Sequence, residues 1–297
     1  MEIFRGSATA LVTPFHPDGK INFETLAKLL DFQIENDTDA IVICGTTGEA
    51  STLTDEEQLE CIRFTVDYVN KRIPVIAGAG SNDTAHGVNL CVDAQNCGAD
   101  ALLLVTPYYN KCSQRGLVKH FTAQAEAVDI PVILYNDPAR TGLNMLPATV
   151  FELSRVKNIV GLKEACGDIV QVAETARLCG KNFAIYSGND DYTVPLMSVG
   201  GLGIISVIAN VAPKKSHEMT RRYFAGDIEG AAALQLEMLP LVRALFIPGE
   251  VSPGPVKAAL KLMGIDAGGH RLPVCEPDEK NIETIRGEMI NYGLITA

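Results

Sequence analysis

Short apolar runs recur along the chain at a fairly regular interval, and each is about as long as a β-strand. They consist almost entirely of Val, Ile, Leu and Ala, which is typical of parallel strands that are buried on both faces. The pattern predicts eight strands, at residues 8–13, 40–45, 73–78, 99–106, 130–136, 159–163, 183–188 and 202–207. Strands of this kind place the chain in the α/β class of folds.

Segments with helical periodicity lie between these strands. In the segment 54–69, Thr54 stands three residues before Glu57, which is the spacing of a capping box, and the apolar residues that follow share one helical face. Pro147 suits the first turn of another helix. The further segments are 116–129, 147–158 and 168–180. The alternation of strand and helix predicts a (β/α)₈ TIM barrel that ends near Gly226.

A doubly wound sheet is the main alternative fold for this alternation. Such a sheet normally carries a Gly-rich phosphate loop directly after its first strand. Residues 11–19 read LVTPFHPDG and contain no loop of that kind. The barrel is therefore favoured.

The pattern changes after Gly226, where helical periodicity continues without strands. The segments concerned are 228–246, 254–265 and 278–295. We therefore expect a (β/α)₈ catalytic barrel at residues 1–226 and a C-terminal helical region at residues 227–297.

Charge and cysteine content limit the partners and the location. The chain has 297 residues with a formal net charge of -11 and no basic run, which argues against nucleic acid or an anionic membrane as a partner. Its first 15 residues do not resemble a secretory signal, and no segment approaches the roughly 20 apolar residues of a membrane span. The eight cysteines are scattered without a CxxC pair, so we expect a reducing, cytoplasmic location with neither disulfides nor a zinc site.

The carboxyl ends of the strands are where the active site of such a barrel is expected. These ends supply one lysine, one arginine, several tyrosines and hydroxyl groups, and no histidine. They comprise Thr13 and residues 45–49, 78–82, 106–110, 135–142, 163–167, 187–191 and 206–210. Because histidine is absent from these segments, they do not supply the residues of a typical metal-dependent mechanism or of a Ser-His-Asp triad. The inventory favours Schiff-base chemistry on a carbonyl compound.

Lys163 is the lysine in question, and it ends the apolar strand 159–163. Burial in a barrel disfavours the ammonium form, so the pKa of this amine is expected to fall and the neutral form to become available as a nucleophile. The alternative is a lysine whose stem covers apolar surface while its head reaches water. The strand alone leaves both interpretations open, and the neighbouring strand ends favour the catalytic one. Glu164 should point to the opposite side of the strand.

Four further features at the strand ends are candidates, each with a structural alternative. Tyr135 could shuttle protons, or it could be a core aromatic with its hydroxyl at the rim. The turn 45–49, GTTGE, offers hydroxyl and amide groups to a small carboxylate, or it is only a tight turn. Arg140 has the planar fork that suits a carboxylate, or it lies on the surface. The tyrosines in TPYYN could simply pack at an interface.

With these residues identified, the chain resembles the dihydrodipicolinate synthase family of class I pyruvate-dependent aldolases from about Gly6 to about Pro273. The motifs are GTTGEASTL, PVIAGAGSN, TPYYN, YNDPARTG, GLKEACGD, SGND and GIISVIAN. GTTGE and the strand-end lysine also occur in the wider superfamily. YYN together with RTG favours the synthases over their sugar-acid relatives.

The resemblance implies a role for each matching position. Lys163 matches the Schiff-base lysine, and Tyr135 matches the tyrosine that relays protons. Thr46 and Tyr109 match its partners in a hydroxyl triad, with Tyr109 contributed across a tight dimer interface. The positions that match substrate contacts are Thr47 for the pyruvate carboxylate, Arg140 for the carboxylate of the aldehyde, and Gly188 and Ile205 for the pyruvate pocket. A homotetramer of two tight dimers, with no cofactor and no metal, is implied as well.

The implied reaction joins pyruvate to L-aspartate 4-semialdehyde and gives 4-hydroxy-tetrahydrodipicolinate, in the diaminopimelate and lysine pathway. A nearer alternative is another class I pyruvate aldolase, such as N-acetylneuraminate lyase or a 2-keto-3-deoxy sugar-acid aldolase. Arg140 and Tyr109 argue against it. A barrel that only binds a small acid is the more distant alternative, and such a protein has no need of an imine-forming amine.

Inhibition by L-lysine is a further property that the resemblance brings into question. Lysine-inhibited members bind the amino acid at the tight-dimer interface, where two histidines and a glutamate are typical. The matching positions here are Asp55, Gln58 and His86. The candidate allosteric residues are Ser51, Asn82, His86 and Tyr108, of which Ser51, Asn82 and Tyr108 remain compatible with binding. We therefore expect weak inhibition or none.

Overall fold

The computed structural model describes residues 2–296, which contain a closed barrel of eight parallel strands. The strands are β1 Gly6–Ala10, β2 Ala40–Ile43, β3 Val75–Gly78, β4 Ala101–Val105, β5 Val132–Asn136, β6 Ile159–Glu164, β7 Ala184–Ser187 and β8 Gly203–Ser206. Each pairs with its neighbours in chain order, and β8 closes the barrel against β1. The predicted TIM barrel is confirmed, and every predicted strand overlaps an observed one.

The first strand differs most from its predicted position. Residues 8–13 are all buried, but β1 ends at Ala10. Beyond that point the Val12 amide donates to Oδ1 of Asn210 at 3.1 Å rather than to a neighbouring strand. The apolar pattern reports burial, which continues here, and it does not report where strand pairing stops.

Helices surround the barrel and follow the strands in the predicted order. They are α1 Phe23–Glu35, α2 Asp55–Val69, α3 Thr84–Asn96, α4 Gln114–Glu126, α5 Pro138–Thr141, α6 Pro147–Leu153, α7 Ile169–Cys179, α8 Thr193–Ser198, α9 Pro213–Phe224, α10 Ile228–Leu245, α11 Gly254–Leu262 and α12 Glu279–Asn291. The predicted capping box of α2 is confirmed, since the Thr54 hydroxyl accepts from the Glu57 amide and the Glu57 carboxylate accepts from the Thr54 amide. Pro147 occupies the first turn of α6, as predicted.

Strand residues alternate between two apolar layers, one inside the barrel and one between the barrel and the helices. The inner layer combines small residues such as Ala8 and Ala184 with the large ring of Tyr186, which stacks on Phe4 at 4.2 Å. The alternation decides which way functional side chains point. It directs Tyr135 of β5 into the barrel interior, and Lys163 pairs beside it on β6.

The C-terminal segment contains helices α10, α11 and α12, and all three overlap their predicted positions. Helix α10 packs along α9, and α12 packs against both α10 and α11. The division of the chain at Gly226 stays a prediction. Within residues 2–296, none of the helices combines the length and the apolar character that crossing a membrane would require.

Candidate active site

Lys163 and Tyr135 lie side by side at the carboxyl end of the barrel. The register of the sheet pairs Tyr135 of β5 with Lys163 of β6, and Lys163 in turn with Tyr186 of β7. The Nζ atom of Lys163 lies 4.3 Å from the centre of the Tyr135 ring. The neighbouring Glu164 faces the helices, as predicted, where its carboxylate accepts hydrogen bonds from Asn136 and Gln171.

The amine of Lys163 is held in surroundings that favour its neutral form. Its side chain is buried, with 4% of the residue exposed. Burial lowers the pKa of Lys163 to about 8, although the carboxylates of Asp137 and Asp190 oppose the change. A substantial fraction of a lysine with this pKa is deprotonated near pH 7 to 8. The neutral amine is the form that attacks a carbonyl group.

The phenol of Tyr135 has a defined hydrogen-bond partner. Its hydroxyl donates to Oδ2 of Asp137 at 2.8 Å, and both side chains are buried. Burial raises the pKa of Tyr135 above its usual value, and the negative charge of Asp137 adds to this effect. The phenol therefore keeps its proton at neutral pH and can exchange it only with a partner in direct contact.

The turn 45–49 places two threonines in different surroundings. Thr46 is exposed at the mouth of the barrel, whereas Thr47 is buried. The hydroxyl of Thr13 donates to the carbonyl oxygen of Gly48 at 2.6 Å and holds the turn against the end of β1. Glu49 completes the turn in the left-handed region, with φ of 56°.

A buried ion pair anchors this turn to the C-terminal helices. The Nζ atom of Lys257, in α11, lies 2.6 Å from Oε1 of Glu49, and each side chain is 1% exposed. The other carboxylate oxygen of Glu49 accepts from the Arg271 amide at 3.1 Å. The same lysine donates to the carbonyl oxygen of Gly269. Segments more than 200 residues apart therefore meet directly behind the turn that presents Thr46 and Thr47.

Gly188 is a position at which any larger residue would disturb the lysine. A Cβ atom there would lie 2.7 Å from the Cβ of Ala165 and 3.2 Å from the Cε of Lys163. The Gly188 amide donates to the carbonyl oxygen of Glu164 at 2.7 Å, which fixes this close approach. Ile205 lies fully buried inside the barrel.

Arg140 lies at the edge of the same site. It belongs to the short helix α5, and its side chain is 39% exposed. Its Nε atom lies 3.5 Å from Oδ2 of Asp137, which also accepts the Tyr135 hydroxyl. Among residues 2–296, Asp137 is the carboxylate within 4 Å of this guanidinium, so the rest of the fork can meet an anionic group from solvent.

A cavity of about 370 Å³ opens beside these residues. Its lining includes Tyr135, Asp137 and Arg140 together with Ser51, His86 and Tyr108. The cavity therefore connects the candidate catalytic residues with the candidate allosteric ones.

Tyr109 does not join the site of its own chain. It is 90% exposed and adopts a left-handed backbone conformation, with φ of 71°. The loop that carries it is tied down on either side, because Asn82 donates to the carbonyl oxygen of Tyr108 and Asn110 donates to that of Asn82.

Two of the positions that match the lysine site of the family, His86 and Asp55, contact each other. Nε2 of His86 lies 3.0 Å from both carboxylate oxygens of Asp55, and Nδ1 lies 3.0 Å from the Ser81 hydroxyl. Gln58 turns away from solvent and donates to the carbonyl oxygen of Gly78 at 2.7 Å. Both ring nitrogens of His86 are therefore already engaged by protein atoms.

Sequence reasoning missed three acidic residues that lie at the site or directly behind it: Asp137, Asp190 and Glu49. Each lies in one of the segments at the carboxyl ends of the strands, where the active site of a barrel is expected. The position of these residues in the sequence could therefore have identified them as candidates. Asp190 is buried and accepts from the Ser206 hydroxyl at 2.6 Å. Among residues 2–296, no group of three or more His, Cys, Asp or Glu side chains is arranged to hold a metal ion.

A closed parallel barrel with a buried, easily deprotonated lysine at its carboxyl end is the arrangement of a Schiff-base-forming aldolase. The chain belongs to the dihydrodipicolinate synthetase family, whose model matches residues 3–289. It is 59% identical over 296 residues to the 4-hydroxy-tetrahydrodipicolinate synthase of Thermoanaerobacter sp. (strain X514), covering 99% of each chain. The predicted family and enzyme class are thereby confirmed.

Solved structures agree with this placement. A dihydrodipicolinate synthase from Acinetobacter baumannii, complexed with pyruvate, has a TM-score of 0.96 at 43% identity and covers 99% of this chain and 100% of its own. The enzyme from Cyanidioschyzon merolae with lysine bound also has a TM-score of 0.96, at 39% identity, and covers 99% of this chain and 100% of its own.

Proposed function

We propose that the protein condenses pyruvate with L-aspartate 4-semialdehyde to give 4-hydroxy-tetrahydrodipicolinate, as a step of diaminopimelate and lysine biosynthesis. The observation that carries this proposal is the buried amine of Lys163, whose pKa burial lowers to about 8. The identity of 59% to a synthase of that name supports the choice of substrates. The pyruvate complex of the Acinetobacter baumannii enzyme supports pyruvate as the first of them. The eight free cysteines suit the reducing cytoplasm.

The proposed reaction begins on pyruvate. The neutral amine of Lys163 attacks C2 of pyruvate and forms a carbinolamine, which loses water to become an imine. Tyr135 relays the protons of this step, with Thr46 as a hydrogen-bonding partner. Thr47 binds the pyruvate carboxylate, and Gly188 and Ile205 shape the pocket around the substrate.

The second half of the reaction joins the two substrates. Loss of a C3 proton converts the imine into an enamine, whose C3 attacks the aldehyde carbon of the semialdehyde, and the resulting alkoxide takes up a proton. The amine of the semialdehyde then attacks C2 and displaces Lys163 by transimination, which closes the ring and frees the enzyme. Arg140 holds the carboxylate of the semialdehyde during these steps.

Reduction with borohydride in the presence of pyruvate tests the proposal directly. An imine on Lys163 would be reduced to a stable secondary amine, and peptide mass mapping would find the added mass on the peptide that contains Lys163. Borohydride without pyruvate is the control. Labelling of another lysine, or of none, would disprove the mechanism. Coupled assays with each candidate aldehyde then separate this reaction from that of a sugar-acid aldolase.

Replacing Arg140 with alanine should impair use of the semialdehyde far more than capture of pyruvate. The carboxylate of the semialdehyde would lose a charge-assisted contact, which corresponds to a rise in its KM of about ten- to a hundredfold. Steady-state kinetics and borohydride trapping measure the two effects separately. Arg155→Ala is a suitable control, because Arg155 is also exposed and lies on the segment after α6. Equal loss of both activities would contradict the assignment.

We further propose that Tyr109 completes the site of a neighbouring subunit in a tight dimer, and that two such dimers form a homotetramer. Its 90% exposure supports a role outside its own chain. Mixing Lys163→Ala subunits with Tyr109→Phe subunits should restore activity, because each hybrid dimer has one intact site. A 1:1 mixture should recover about a quarter of wild-type activity if subunits exchange freely. No recovery despite proven exchange would show that Tyr109 acts in its own chain or not at all.

We expect L-lysine to inhibit the protein weakly or not at all. Asp55 already engages the imidazole of His86, and His86 offers no carboxylate to a ligand ammonium. The missing charged contact corresponds to a loss of roughly ten- to a hundredfold in affinity. His86→Glu should strengthen inhibition, whereas His86→Gln should not. Strong inhibition of the wild type by sub-millimolar lysine would contradict this expectation.

A further inference from the structure

Asp137 is in contact with two residues that the proposed function assigns to different substrates. Its Oδ2 atom accepts the Tyr135 hydroxyl at 2.8 Å and lies 3.5 Å from Nε of Arg140. Its side chain also caps the N-terminus of α5, since Oδ1 accepts from the Arg140 amide at 3.3 Å. The residue is 7% exposed, so these contacts are made largely away from water.

The hydrogen bond to Asp137 decides which way the phenol of Tyr135 points. A phenol has a single proton to donate, and here the carboxylate takes it. The lone pairs of the Tyr135 oxygen are therefore left for other donors, such as the amine of Lys163 or the carbinolamine that forms on it. Without the carboxylate, the phenol would lose its charged acceptor, and its proton would spend part of its time in the wrong orientation.

The contact with Arg140 opposes the binding of an anionic substrate. The pair is partly exposed and not at ideal distance, so it is weak, but a carboxylate that binds Arg140 must compete with it. While the site is empty, the same contact holds the long arginine side chain near its working position.

We propose that Asp137 is a positioning residue that aims the Tyr135 hydroxyl and holds Arg140 until the carboxylate of the second substrate takes its place. This inference rests on the proposed function and assigns to it a residue outside the lysine, tyrosine, threonine and arginine set. This role explains why the carboxylate of Asp137 is buried near Lys163, although its charge opposes the loss of the proton from that amine.

The charge of Asp137 affects the pH at which Lys163 becomes reactive. The charged groups that face Lys163 are Asp137 after β5, Asp190 after β7 and Arg140 in α5. Both carboxylates raise the pKa of Lys163 against the effect of burial, and Arg140 lowers it. Removal of the Asp137 charge should therefore move the pKa of Lys163 below about 8 and shift the rise in imine formation to lower pH.

Asp137→Asn is the variant that tests the proposal, because asparagine caps a helix as well as aspartate does but carries no charge. We expect kcat to fall by about 10- to 100-fold through misorientation of the phenol. The KM for the semialdehyde should fall by about two- to fivefold, since Arg140 is released from its competing partner. The pH midpoint of borohydride trapping with pyruvate should move below that of the wild type.

Asp227→Asn is the matched control, because Asp227 caps α10 through the Gly230 amide at 2.9 Å and lies outside the site. It should leave all three values unchanged. Asp137→Ser, which keeps a cap but cannot reach Tyr135, should reproduce the fall in kcat if the asparagine variant folds poorly. A fall in kcat with unchanged KM and pH midpoint would reduce Asp137 to a structural cap and overturn the proposal. A wild-type protein that traps no pyruvate would instead refute the proposed function itself.

Discussion

Substitution of methionine for Lys163 is expected to abolish turnover while making the protein more stable. The nucleophile is lost, so kcat/KM should fall by at least about 10⁴-fold. At the same time a buried amine is replaced by an apolar side chain of similar length. The free energy of unfolding should rise by about 1–3 kcal/mol at pH 7, because the folded chain no longer holds an ammonium that burial disfavours.

The pH dependence of this gain follows from the pKa of Lys163. The folded chain releases the proton at about pH 8, whereas an unfolded chain holds it until about pH 10.5. Between these values the unfolded state binds more protons, so wild-type stability rises with pH in this window. The advantage of the methionine variant should therefore be complete below about pH 8 and shrink between about pH 8 and 10.5.

Urea unfolding at a fixed protein concentration and at several pH values measures the effect, together with turnover of the folded variant. Lys157→Met is a suitable control, because Lys157 is exposed and lies near the start of the same strand. It should change neither activity nor stability appreciably. A Lys163→Met variant with substantial turnover, or one that is clearly less stable than the wild type at pH 7, would contradict the expectation.

The same substitution at Lys257 is expected to have the opposite effect on stability. Lys257 is as deeply buried as Lys163, but it pairs with Glu49 at 2.6 Å. Methionine at this position would leave the Glu49 carboxylate buried without its cation, and the free energy of unfolding should fall by about 3–5 kcal/mol. Turnover should also decrease, since Glu49 ends the turn that presents Thr46 and Thr47.

A double variant separates the two consequences of this change. Glu49→Gln combined with Lys257→Met removes both charges, and it should recover a large part of the lost stability, because no uncompensated charge remains. The measurement is a double-mutant cycle of unfolding free energies at one protein concentration. If Lys257→Met alone were as stable as the wild type, the ion pair would not anchor the turn.

Much of the candidate site could be predicted because, in a parallel barrel, the place of a residue at the end of a strand also fixes its place at the rim of the barrel. Every strand points the same way, so residues that end an apolar run meet at one rim. This rule alone brought together Lys163, Tyr135, Arg140 and the turn 45–49. The resemblance then added roles that no local pattern contains, such as that of Tyr109. The assigned roles remain predictions until the variants are made.

The sequence by itself determined the barrel, the order of its strands and the rim at which the candidate residues meet, because apolar runs and helical periodicity can be seen locally. The apolar strand alone left the direction of Lys163 open, and the structure places its amine against the Tyr135 ring. Only the tertiary structure decided which buried lysine is paired. Glu49 and Lys257 are 208 positions apart, and no periodicity links them. The contacts of Asp137 with Tyr135 and Arg140 were likewise not visible in the pattern, since a hydrogen bond depends on side-chain direction within a fraction of an ångström. The Glu49–Lys257 contact arises when distant segments dock, and a contact of this kind determines whether a buried lysine is a reactive amine or an anchor.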